Sequence, residues 1–185
     1  MRKLSILWIF LVTAVCINAA VLLVEDFDYV AGTALEGQGS PNKWSLSTNV
    51  NNAQTASAPL VISSDGLTMP YYGAGEEAKG LGVMMPVVTL SPDASRQRVT
   101  YRMFDTNSGY KTGCIYAAFL LKVSEASSTA RDFFSFEGNT GTTQRGRLFV
   151  KSVGSGYQLG VSRTSTSPMW SRTLELGKTY FVVLK

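Results

Sequence analysis

Apolar residues recur at every second position through much of this chain, and after residue 20 no stretch repeats at the 3.6-residue period of a helix. Val99, Tyr101 and Met103 alternate with Arg98, Thr100 and Arg102. Tyr157, Leu159 and Val161 alternate with Gln158, Gly160 and Ser162. A period of two places one set on each face of a pleated strand, so both runs predict half-buried strands with one solvated face. The Arg98 and Arg102 side chains are expected on that solvated face. Charged residues make up 16% of the chain, against about 25% for an average domain, and Gly occurs 17 times. Such chains favour strands joined by tight turns, because glycine accepts the turn angles at no steric cost.

Further strands are expected over residues 21–27, 59–63, 132–136, 148–153 and 179–184. Residues 115–121 are apolar at both parities, apart from small Ala117 and Ala118, which predicts a central strand covered on both sides. Cys114 opens that run and reads as a buried small hydrophobe. Turn signals fall between the strands, and Gly154-Ser155-Gly156 links 148–153 to 157–163 as a tight hairpin. Residues 36–58 are polar and predict a long loop carrying Trp44. At least eight strands at this spacing predict a two-sheet antiparallel β-sandwich or jelly roll. The final residues 180–185 look like the middle of a buried hairpin, so the expectation is an N-terminal piece of a longer protein, lacking the sandwich's last strands.

Residues 1–20 read as a helical secretory signal peptide. Arg2 and Lys3 precede an apolar run over residues 4–17, and Asn18-Ala19-Ala20 supplies small residues for cleavage. A run of 14 residues is short for a membrane span, which needs about 20. The domain is therefore expected over residues 21–185, exported to the medium or the cell surface, with no membrane span after signal removal. Without Arg2 and Lys3, 15 basic and 13 acidic residues remain, a net charge of +2 that gives no ground for nucleic-acid binding. Cys114 is then the sole cysteine of the mature chain, which excludes an internal disulfide and favours a bacterial source.

The chain contains no histidine. A Ser-His-Asp triad, a Cys-His dyad and a His-ligated zinc site are all excluded. Glycoside hydrolysis needs two carboxylates about 5–10 Å apart. Asp26 and Asp28 have i,i+2 spacing, about 6.5–7 Å on a strand, but they flank the core residue Phe27 beside the mature N-terminus. No enzymatic activity is expected of this segment. Aromatic residues are the stronger functional signal. Tyr71 and Tyr72 follow Pro70 and precede a Gly-Ala-Gly loop, Trp170 follows Pro168 in a Thr/Ser-rich stretch, and Trp44 sits in the long loop. Exposed rings can stack on sugar faces, and their rigidity makes ordering them cheap.

Several segments together resemble the laminin-G-like, concanavalin-A-like jelly-roll domains of secreted Bacteroidetes-type proteins. They are Glu25-Asp26-Phe27-Asp28-Tyr29 with Ala31-Gly32; Asp65-Gly66-Leu67-Thr68 leading to Tyr71, Tyr72 and Gly73; and residues 115–124, 132–136, 146–163 and 176–184. The resemblance implies a two-sheet sandwich attached to adhesins or enzymes, with carbohydrate or protein binding as its role. Some relatives bind calcium, and Asp26, Asp28 and Asp65 are the weak candidates here. The expectation is a non-enzymatic module for adhesion or glycan binding. Its rivals are an accessory part of a polysaccharide-degrading enzyme and a structural spacer in a large surface protein.

Overall fold

The computed structural model of the chain describes residues 22–46, 60–67, 100–103, 113–137, 144–164 and 166–185, and the backbone of residues 83–84. Among these residues the fold is all-β. The strands in chain order are β1 (Ser45–Leu46), β2 (Val61–Ile62), β3 (Val83–Met84), β4 (Thr100–Tyr101), β5 (Ala117–Lys122), β6 (Arg131–Glu137), β7 (Gln144–Val153), β8 (Gly156–Ser162), β9 (Met169–Trp170), β10 (Leu174–Glu175) and β11 (Thr179–Leu184). No helix among the described residues is long and apolar enough to cross a membrane. The expected signal peptide lies outside the described residues.

The largest sheet runs β10-β8-β7-β6, with β9 also paired to β8, and every pairing is antiparallel. Its spine is the expected hairpin. Val153 pairs with Gly156, so the loop is only Gly154-Ser155. Gly154 has φ of 58° while Ser155 stays at negative φ, the pattern of a type II′ turn, whose twist matches the flanking strands. Strands β9 and β10 share one edge of β8. Between them the Leu159 N–H donates to Ser171 Oγ (3.1 Å) and the Ser171 N–H to the Leu159 carbonyl (2.8 Å), so the edge stays satisfied where regular pairing lapses.

A second, two-stranded sheet pairs β5 with β11 in continuous register from Ala117↔Leu184 to Lys122↔Thr179. Two aromatic contacts, Phe119 with Phe134 and Tyr180 with Tyr157, join it to the large sheet. The Phe119 and Phe134 ring centroids lie 5.3 Å apart, Phe134 meets Phe136 edge-on at 5.5 Å, and Tyr180 meets Tyr157 edge-on at 6.3 Å. Tyr157 and Leu148, which share the face of β7 and β8 that carries the Tyr157–Tyr180 contact, are buried. Tilted and edge-on pairs of this kind contribute about 0.5–1.5 kcal/mol each beyond their area burial. Two further pairs, β1 with β4 and β2 with β3, complete the described strands.

Four expectations need correction. Residues 115–121 are not a strand covered on both sides: Tyr116 and Ala118 are exposed, as are Phe181 and Val183 of β11, so only one face of this pair is covered by described residues. Cys114 is exposed, because it precedes β5 instead of packing within it. Residues 22–27 form no strand, since Phe27 takes φ of 54° and the Tyr29 N–H donates to the Phe27 carbonyl (2.7 Å), bending the chain sharply. At β4 the two faces are exchanged. Tyr101 and Met103 are exposed, whereas the Arg102 side chain is 6% exposed. A change of parity by one residue turns every side chain to the other face, and here an ion pair with Glu25 sets the parity.

Candidate functional site

The outer face of the large sheet carries the most distinctive side-chain arrangement among the described residues. The pairings align Trp170 (β9), Gly160 (β8), Phe149 (β7) and Asp132 (β6) in one row across four strands. Lys151 and Gln158 form the adjacent cross-strand pair on one side, Arg147 and Ser162 on the other. Alternation predicts a solvated face at Gln158, Gly160 and Ser162, yet Gly160 and Ser162 are buried.

Trp170 explains the burial of Gly160. A Cβ on Gly160 would fall 2.8–2.9 Å from two indole carbons and 2.9 Å from Pro168 Cβ, closer than van der Waals contact permits. The bare backbone is therefore what lets the indole rest against the strand. Trp170 is half-buried, and the Lys151 ammonium stands 4.1 Å from its ring centroid. Such a cation–π contact contributes roughly 0.5–1 kcal/mol at a solvated site.

The other end of the row is held by charge. Arg147 donates to Asp132 through Nη2 (2.8 Å) and Nε (3.3 Å), and its guanidinium lies 4.8 Å from the Phe149 ring centroid. Phe149 is buried although it points to the outer face. The result is a surface with an aromatic ring and an ammonium at one end, an amide beside them, and a neutralised ion pair at the other. It can stack, donate hydrogen bonds and attract negative charge.

Trp44 occupies a different environment. Its indole N–H donates to Glu25 Oε2 (2.8 Å), and its ring stacks on Phe27 with centroids 6.1 Å apart. The Glu25 carboxylate also accepts from the Phe27 N–H (2.9 Å), the Tyr29 hydroxyl (3.1 Å) and Arg102 Nη1. Arg102 Nη2 donates to the Ser40 carbonyl (3.0 Å), and Asn42 Nδ2 to that of Met103 (2.9 Å). Burial, and then the bond to Glu25, raise the Tyr29 hydroxyl pKa. This network ties residues 25–44 to Arg102 and Met103, just after β4, and engages Trp44 in packing.

Tyr71 and Tyr72 lie outside the described residues. Asp26, Asp28 and Asp65 are exposed, and the Asp65 N–H donates to Ser63 Oγ (3.2 Å). Among the described residues no group of three or more His, Cys, Asp or Glu could hold a metal ion. Sequence reasoning singled out Trp170 but missed Lys151, Gly160 and Phe149. The available signal was Gly160, since a glycine inside an alternating strand marks a close approach by another group. No protein-family model, curated protein or solved structure matches the chain.

Proposed function

We propose that this chain is a non-enzymatic β-sandwich module, of laminin-G-like, concanavalin-A-like jelly-roll type, that acts in adhesion by binding carbohydrate outside a bacterial cell. The observation that carries the reading is the Trp170 indole, resting on Gly160 at the outer face of the large sheet with Lys151 and Gln158 beside it. A rigid ring backed by a strand loses little entropy on binding, and the flanking amine and amide supply the donors a sugar hydroxyl needs. The apolar run near the N-terminus supports export, and the lack of histidine supports a binding role over catalysis.

A glycan array probed with the full chain tests the reading. The wild type is expected to bind, and Trp170→Ala to weaken binding about thirtyfold, as loss of an anchoring aromatic does. Trp170→Phe keeps a ring on Gly160 and should retain most of the affinity. Tyr71→Ala and Tyr72→Ala are the companion variants. Silence across the array, or binding unchanged in all three Ala variants, removes the proposal.

A further inference from the structure

The two cations of the outer face differ in what engages them. Arg147 is neutralised by Asp132, with two donors on one carboxylate oxygen. Lys151 lies four residues further along β7, about 13 Å away at strand rise. Its ammonium faces the Trp170 ring, and no carboxylate among the described residues pairs with it. Among the described residues Lys151 is therefore a positive charge with no carboxylate partner, placed over the ring that the glycan reading uses.

A neutral sugar laid on Trp170 would displace that ammonium and offer it only uncharged hydroxyl oxygens in return. A sugar bearing an anion would exchange a weak cation–π contact for a stronger charge-assisted hydrogen bond, and would uncover the ring in the same movement. We infer that the ligand of this face is an acidic polysaccharide, whose carboxylate or sulfate group pairs with Lys151 while its sugar ring stacks on Trp170. The inference rests on the glycan-binding reading and narrows it to anionic polymers. Gln158, directly across from Lys151, is placed to donate to a neighbouring hydroxyl.

Surface plasmon resonance with the full chain and three polymers tests it: polygalacturonate, dextran sulfate and uncharged dextran. At least one charged polymer should bind, better than dextran and progressively less as salt rises. Lys151→Gln should weaken that binding roughly tenfold, and Lys151→Arg should preserve it. Polygalacturonate against dextran sulfate separates a carboxylate ligand from a sulfate one. A charged polymer that binds Lys151→Gln as tightly as wild type overturns the inference. So does binding of neutral glycans alone, which leaves the glycan reading standing. Failure of the wild type to bind any polymer or array glycan overturns both.

Discussion

Replacing Glu25 with Ala should cost this protein a large part of its stability. The carboxylate receives the Phe27 N–H, the Tyr29 hydroxyl, the Trp44 indole N–H and Arg102 Nη1. The Glu25 and Arg102 side chains are 10% and 6% exposed. Without the carboxylate, the guanidinium stays buried with the Ser40 carbonyl as its remaining hydrogen-bond acceptor among the described residues. Breaking a buried pair from one side costs about 3–5 kcal/mol. For a domain of this size each kcal/mol moves the melting temperature by about 2–4 °C, so the shift should be on the order of 10 °C. Arg102→Met leaves Glu25 with three neutral donors and should cost less. The double variant Glu25→Ala/Arg102→Met removes both charges and should be more stable than the two single losses add up to, by about 1–3 kcal/mol. Urea unfolding followed by tryptophan fluorescence measures this, with Trp44 inside the network as a reporter. If Glu25→Ala stays within about 0.5 kcal/mol of wild type, as an exposed substitution would, the reasoning fails.

Three further outcomes are expected. Gly156→Ala would place its Cβ 2.3 Å from the Leu174 carbonyl oxygen, a backbone atom that moves only if β10 leaves β8, so its melting temperature should fall well below that of wild type. Burial, with Tyr180 beside it, pushes the Tyr157 hydroxyl up to about 12. Its contribution is complete below the unfolded-state pKa of about 10 and is lost as pH rises from there to about 12, by roughly 2–3 kcal/mol in all, so denaturation midpoints should drop over that range and drop less in Tyr157→Phe. Cys114 is exposed and should react with a thiol reagent in the native protein as fast as in urea, whereas strong protection would contradict its position ahead of β5.

The parts of the fold legible in the sequence are those built from local pairing. The β7–β8 hairpin has an apolar run on one arm, alternation on the other and glycines at the turn, and β11 coincides with residues 179–184, so each could be read from its own stretch of sequence. What escaped was set by distant partners. The exchange of faces at β4 follows from Glu25, 77 residues away in sequence, and nothing in the pattern of residues 98–103 reveals that an arginine turns inward to meet it. Cys114 and Tyr116 belong to an apolar run that looks like core, yet hydrophobicity reports what a residue tolerates and not which face its neighbours cover. The candidate site was half legible. Trp170 stood out by type, but its platform needed the pairing of β8 with β9, an edge contact of two residues that carries almost no periodic signal of its own.

Docking of a ligand on the outer-face ring can be followed residue by residue by nuclear magnetic resonance of the labelled protein, titrated with whichever of the three polymers binds. The Trp170 indole N–H should shift first, together with the Lys151 and Gln158 amides, while the Trp44 indole, held by Glu25, stays in place. Shifts that cluster elsewhere and leave Trp170 and Lys151 unmoved would contradict docking on that ring.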